Sequence, residues 1–238
     1  MGEKIKIEYY ALSEKGRREK NEDAYIAEKI NDLYVFAVAD GLGGHISGEI
    51  ASKIAIVELR EAIKRYGKEG LTITFKRVNN TISFENKQKG ANMGTTLIAC
   101  IVEEDGKCKI ANVGDSRAYI FNDDNIWRTK DHSLVQELVD KGVISEEEAF
   151  NHPKKNIVTQ ALGLEEKIRI DVYEKNLRDS VLLLCSDGLS DYVKDNEIAE
   201  IVKKYDPKKA CKKLYKKALK EGSEDNITII IAKPMGKK

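Results

Sequence analysis

Three aspartates stand where apolar runs begin or end. Val35-Phe36-Ala37-Val38-Ala39 runs into Asp40-Gly41, and Val181-Leu182-Leu183-Leu184-Cys185-Ser186 runs into Asp187-Gly188. Asp225 directly precedes a further apolar run from Ile227 to Ile231. A buried strand that stops at Asp-Gly delivers a carboxylate to the rim of its sheet, and the glycine permits a sharp turn beside it. Carboxylates that face one cleft repel one another unless a cation joins them. The pattern therefore predicts a site for a hard metal ion.

Two further segments, and the residues that follow Asp40 and Asp225, carry compatible chemistry. In Arg18-Glu19-Lys20-Asn21-Glu22-Asp23 a guanidinium precedes paired carboxylates. Arginine's planar fork matches phosphate oxygens, and Glu22 and Asp23 can orient water on a cation. Alone, this segment reads as a charged turn. Asp40-Gly41-Leu42-Gly43-Gly44-His45 lets the backbone approach a ligand closely, with the Gly41 carbonyl as a candidate metal ligand. It lacks both the GxGxxG pattern and the Lys-Ser/Thr ending of nucleotide loops, which sets nucleotide binding aside. Gly114-Asp115-Ser116-Arg117 has hairpin-turn composition, and Asp225-Asn226-Ile227-Thr228 opens the last apolar run. Together the candidate ligands are nearly all oxygen, with no cysteine or histidine at metal spacing, which selects Mg²⁺ or Mn²⁺ over zinc. Two such ions can activate a bridging water and clamp a phosphoryl group.

The elements that must position these residues alternate in two modes. Strand-like runs are expected at about 4–10, 24–30, 33–39, 95–103, 107–113, 117–122, 168–176, 181–186 and 227–232. Helical patterns come as pairs, at about 48–66 and 72–88, then about 195–204 and 207–221. In the first, Ile50, Ile54, Leu59 with Val57, Ala62 and Tyr66 form the expected apolar stripe, closed by Gly67. Strands clustered around two inserted helix pairs predict an α+β fold of mainly antiparallel sheets rather than a parallel βαβ fold. Residues 131–165 read differently, with a short helix from Ser133 to Lys141 and a capped start at Ser145-Glu146-Glu147-Glu148. They are expected to form a surface lobe on one domain spanning residues 1–238.

The bulk numbers fit. The chain has 238 residues, 41% hydrophobic and 34% charged, with a net charge of +1. That balance gives no general reason to expect a nucleic-acid partner. No apolar run is long enough to cross a bilayer and no apolar leader opens the chain, so a cytoplasmic protein is expected. Cys100, Cys108, Cys185 and Cys211 form no CxxC pair, and buried free thiols are expected.

In order, Arg18…Asn21-Glu22-Asp23, Asp40-Gly41-Leu42-Gly43-Gly44-His45, Met93-Gly94-Thr95-Thr96, Val113-Gly114-Asp115-Ser116-Arg117, Asp131-His132-Ser133, Ser186-Asp187-Gly188 and Asp225-Asn226 span nearly the full chain. The set resembles the metal-dependent protein serine/threonine phosphatases of the 2C type, in their compact prokaryotic form. The resemblance implies a four-layer αββα sandwich of two mainly antiparallel sheets flanked by helix pairs. It implies hydrolysis of phosphoserine and phosphothreonine on proteins by metal-activated water, without a phosphoenzyme. Asp40 would bridge two Mn²⁺ or Mg²⁺ ions. Asp187 and Asp225 would complete one, the Gly41 carbonyl would bind the other, and Glu22 would act through water. Arg18 would hold the substrate phosphate, and Asp115 with Asp187 a third, weaker ion. Residues 131–165 would be the flap beside the cleft. Many eukaryotic members carry a histidine directly after this Asp-Gly; here the position is Leu42, and His45 does not inherit the role by position. Partners implied are phosphoproteins made by a serine/threonine kinase, with a monomeric enzyme and no membrane contact.

Several residues take plainer readings. His132 and His152 are read as structural or surface side chains in the flap region. Ser186 and Ser190 lack a histidine base. Trp127 and the ten tyrosines are read as packing. In the lysine run 208–220, Cys211, Leu214, Tyr215 and Ala218 make an apolar stripe, so its lysines form a solvated face. A phosphoprotein-binding module on the same fold, and hydrolysis of small phosphate esters, are the competing functions.

Overall fold

The structure, a computed structural model, describes residues 4–43, 47–122 and 125–235. It opens with strands β1 (Ile7–Glu14), β2 (Ala24–Ile30), β3 (Leu33–Ala39) and the two-residue β4 (Gly41–Leu42). Helices α1 (Ser47–Tyr66) and α2 (Gly70–Lys89) follow, joined by a 3₁₀ turn. Then come β5 (Gly94–Thr95), β6 (Leu97–Val102), β7 (Lys107–Val113), β8 (Arg117–Phe121) and β9 (Ile126–Arg128). Short helices α3 (Leu134–Asp140) and α4 (Glu146–Phe150) lead to β10 (Asp171–Asn176), β11 (Val181–Cys185) and α5 (Asp187–Ser190). The order closes with α6 (Asp195–Lys204), α7 (Pro207–Lys220) and β12 (Ile227–Pro234).

Two five-stranded sheets form, ordered β1-β12-β11-β8-β9 and β10-β7-β6-β3-β2. Their pairings are all antiparallel. Three apolar layers explain why the central strands are apolar at nearly every position. Phe36, Val38 and Ile98 of one sheet pack against Leu182, Leu184 and Ile230 of the other. The alternate residues Val35, Ala37 and Ala99 face outward onto Ala55, Leu59 and Phe75 of α1 and α2. On the opposite side Leu183, Ile229 and Ile231 meet Ile198, Cys211 and Leu214 of α6 and α7. A strand buried on both faces has no solvent side to make polar. The architecture is the expected four-layer αββα sandwich.

Some boundaries moved. β1 runs to Glu14 because its backbone pairs with the whole of β12, from Ile7 opposite Pro234 to Glu14 opposite Ile227. The stripe on α1 is rotated from the expected one. Ile50, Val57 and Tyr66 are exposed, and the buried face is Ala51, Ala55, Leu59, Ala62 and Ile63. Small residues let α1 approach its neighbours closely, a gain that counting large apolar residues does not capture. Strand β9 and helix α5 were not expected; three and four residues carry no readable period. The four cysteines are free and buried. Cys100 lies opposite Ile110 and Cys108 opposite Val102, so the two thiols are diagonal neighbours. Ser145 opens α4 with the anticipated capping box. Among the described residues no helix is long and apolar enough to cross a membrane.

Candidate active site

Ends of both sheets open into one cleft of about 480 Å³. Arg18, Glu22, Asp40, Gly41, Asp115, Asp187 and Asp225, the metal and phosphate candidates from sequence, line it. Leu42, Asn156 and Val158 share the wall.

Asp40 follows β3, and its backbone is clamped to the Thr95-Thr96 segment. Its N–H donates to Thr96 Oγ1 at 3.0 Å. Its carbonyl accepts from Thr96 N at 2.9 Å and from Thr95 Oγ1 at 2.9 Å. Gly41 has no room for a side chain, since a Cβ there would lie 2.2 Å from the Gly48 carbonyl oxygen and 2.7 Å from that of Glu22. A Cβ on Gly48 would meet Glu22 Oε2 at 2.2 Å. The glycines thus let the start of α1, the Glu22 segment and β4 share one small volume.

Asp187 is the first residue of α5, not a residue of a sharp turn. Gly188 beside it has ordinary helical backbone; it is needed because a Cβ would come within 2.0 Å of the Asn226 carbonyl oxygen. Asn226 ties the loop of residues 15–22 to the start of β12. Its amide donates to the carbonyls of Lys15 at 3.0 Å and Lys20 at 2.8 Å. Its Oδ1 accepts from Glu22 N at 2.8 Å. Arg18 and Glu22 are therefore placed by one asparagine some 200 residues away in sequence.

Asp23 does not line the cleft with Glu22. It is buried behind it, and its Oδ2 accepts from Ser186 Oγ at 2.9 Å and Thr228 Oγ1 at 2.6 Å. Thr228 N donates in turn to Ser186 Oγ at 3.0 Å. Ser186 is thus a structural donor, in line with its not being a nucleophile.

The electrostatics are unbalanced. Burial, then the charges of Asp23, Asp187, Asp115 and Asp225, push the Asp40 carboxyl well above its ordinary range. Asp187 is raised likewise by burial and by Asp115, Asp191 and Asp225. Burial and then Asp131 and Asp191 lift Asp115 to about 7. Asp23 rises to about 6 through burial, against its two hydroxyl donors. Asp187 Oδ1 and Asp23 Oδ1 are buried without a hydrogen-bond partner. The Arg18 guanidinium grips Asp225, Nε to Oδ1 at 3.1 Å and Nη2 to Oδ2 at 2.9 Å. An all-oxygen donor set with unpaired buried carboxylate oxygens fits a hard divalent cation. Among the described residues no three acidic, imidazole or thiol side chains close on one point by themselves. Carbonyl and water ligands would have to complete any shell, which suits Mg²⁺ and Mn²⁺.

Residues 13–222 match the protein phosphatase 2C family. The chain belongs to this family. It is 39% identical over 234 residues to the serine/threonine phosphatase stp of Listeria innocua, covering 92% of each chain. The crystal structure of the serine/threonine phosphatase Stp1 from Staphylococcus aureus superposes with a TM-score of 0.91 at 36% identity, covering 99% of this chain and 98% of that one. The catalytic domain of the serine/threonine protein phosphatase PstP, solved with two manganese ions, superposes at 0.83 with 30% identity, covering 98% and 99%.

Beside this phosphatase cleft lies a second cavity of about 440 Å³, under α3 and α4. Asp115 belongs to both walls. Arg117 there bonds Asp131 through Nε at 2.9 Å and Nη2 at 2.6 Å. Arg128 bonds Glu146 at 2.7 Å and Asp195 at 3.2 Å. Sequence reasoning gave no role to Asn226, Thr96 or Thr228. Thr96 and Asn226 stood in the motifs behind the resemblance and Thr228 in the segment opening the last apolar run, but none of these signals names a partner. His132 is fully buried, so it is structural rather than superficial. His45, weighed as a proton donor, and Gly44 lie outside the described residues.

Proposed function

We propose that this cleft hydrolyses phosphoserine and phosphothreonine monoesters on proteins, using two Mn²⁺ or Mg²⁺ ions and a third, weaker one. The observation that carries this is the set of uncompensated carboxylates at the cleft floor, with Asp187 Oδ1 unpartnered and Arg18 at the rim. In this reading Asp40, Asp187, Asp225 and the Gly41 carbonyl would hold the two ions, Glu22 would orient water beside them, and Asp115 with Asp187 would hold the third. When bound, the ions supply Lewis-acid activation of water and neutralise charge on the phosphoryl group.

The chain's own residues do the rest. Arg18 exchanges its carboxylate partner, Asp225, for the substrate phosphate, whose oxygens suit the same planar fork. Asp23 stays behind Glu22, braced by Ser186 and Thr228. A thiol phosphoenzyme is disfavoured, because all four cysteines are buried and none lines the cleft. Burial also raises the thiol pKa of Cys100, Cys185 and Cys211, that of Cys211 to about 12. The reading takes residues 1–238 as one catalytic domain with a flap at 131–165, working as a cytoplasmic monomer on the targets of a serine/threonine kinase.

The test is Mn²⁺-dependent phosphate release from a phosphothreonine peptide, with Asp187→Ala and a nucleotide monophosphate as parallel arms. Release that requires added metal, vanishes in the variant and favours the peptide is expected. No release from folded protein at any Mn²⁺ or Mg²⁺ concentration would overturn the enzyme and leave a phosphoprotein-binding module.

A further inference from the structure

We propose that His132 is a positioning residue for Asp115, acting through the Gly114 peptide and without touching substrate. This rests on the reading of Asp115 as a ligand of the third ion. Asp115 is 7% exposed, and its carboxylate is steadied by a hydrogen bond from its own backbone. It lines both the phosphatase cleft and the neighbouring cavity. Its position is therefore inherited from its backbone.

That backbone is gripped from two sides. Gly114 has a φ of +110°, and a Cβ there would lie 2.6 Å from the Thr96 side chain. On its other side Gly114 N donates to His132 Nδ1 at 3.3 Å. His132 N donates back to the Gly114 carbonyl at 2.9 Å. An amide N–H can only donate, so Nδ1 carries the lone pair and the ring proton sits on Nε2. Nε2 faces Asp171 Oδ2 at 3.1 Å. Asp171 is held by Arg169 Nε at 3.3 Å and by the Tyr173 hydroxyl at 3.4 Å. One ring thus links a carboxylate anchor on β10 to the turn that aims Asp115. An outer partner that orients a ligand in this way commonly matters to metal affinity almost as much as the ligand itself.

The same residue ties the start of the flap to its later part. The His132 carbonyl accepts from Thr159 N at 2.8 Å, and Ser133 bridges to Val158, which lines the cleft. A plain core filler would need no acceptor at Nδ1, and that difference can be measured.

The experiment titrates Mn²⁺ against hydrolysis of p-nitrophenyl phosphate by wild type, His132→Asn, His132→Gln, Asp115→Asn and the double variant H132Q/D115N. Asparagine places an oxygen near Nδ1 and keeps the Gly114 acceptor; glutamine reaches toward Asp171 and loses it. H132Q is expected to raise the half-saturating Mn²⁺ concentration about 10-fold. H132N should stay near wild type, and the double variant should be no worse than D115N alone. Multiplying effects, or H132N impaired as much as H132Q, would overturn the positioning role. So would an H132Q whose melting temperature falls while its Mn²⁺ dependence is unchanged. If D115N itself leaves the Mn²⁺ dependence unchanged, the metal role of Asp115 and this proposal fall together, while Mn²⁺-dependent release by wild type keeps the phosphatase reading.

Discussion

Two adjoining cavities of about 480 and 440 Å³ share Asp115 and are both rich in carboxylates, yet their charges are settled differently. Under the flap, Asp131, Asp195 and Glu146 each hold an arginine, and Tyr119 adds a hydroxyl to Asp195 at 2.9 Å. In the cleft, Asp40, Asp115 and Asp187 form no ion pair with any described cation, and Arg18 reaches Asp225 alone. A carboxylate held by an arginine has its charge matched where it stands. A set of buried carboxylates without partners raises one another's pKa, and that stored repulsion is what a metal ion relieves. Acidic content therefore marks neither cavity as a metal centre; the missing countercharge does.

Replacing an acid on each side would separate the two cases. Asp187→Ala in the cleft should cut kcat by about 10³-fold or more, since several kcal/mol of metal-supplied stabilisation go with it. Without metal, the melting temperature of D187A should not fall, because a repelling charge has been removed. A clear loss of metal-free stability would show that Asp187 is structurally compensated and break the comparison.

Arg117→Ala on the flap side should do the opposite. It leaves Asp131, 7% exposed, without its bidentate partner, and should cost about 3 kcal/mol in denaturant unfolding. Unchanged stability would mean the flap-side pairs do not hold that cavity together.

Arg18→Ala probes the ion pair between Arg18 and Asp225 in the cleft. Loss of a charged hydrogen-bond donor to phosphate is worth about 1.5–3 kcal/mol, so kcat/KM should fall about 10- to 100-fold. Since the Arg18–Asp225 pair is half-exposed, stability should hardly change. A stability loss without a kinetic effect would assign Arg18 to structure.

The smallest effect concerns pH. Asp23 and Asp115 have folded-state pKa values raised to about 6 and about 7. Their protonated forms favour the native state, so their contribution is full below the ordinary carboxylate pKa and is lost as pH rises through about 6 to 7. In EDTA the melting temperature should fall across that window, and saturating Mn²⁺ should flatten or reverse the slope. A flat profile in EDTA would remove the claim of uncompensated charge.

Much of this was legible in the chain. The runs 33–39 and 227–231 announce strands because both their faces are buried and nearly every position is apolar, and 107–113 does so because Lys107 and Lys109 alternate with the buried Cys108 and Ile110. The helix pairs are legible from period. The metal-site candidates were legible because each acid ends or begins such a run. Less visible was whatever depends on a distant partner. The rotated stripe of α1 follows from small residues packing against α2, and the glycine at 188 answers to Asn226 rather than to a turn. Asp23 looked like Glu22's twin, yet the chain entering β2 turns it behind the cleft to Ser186 and Thr228.

By itself the sequence determined the residue types, the elements that carry them and the all-oxygen character of the site, since these follow from local pattern and ligand chemistry. Only the tertiary structure decided which carboxylates remain without a countercharge. That depends on where Arg18, Arg117 and Arg128 point once the two sheets close, and on which donors the chain brings back from more than a hundred residues away.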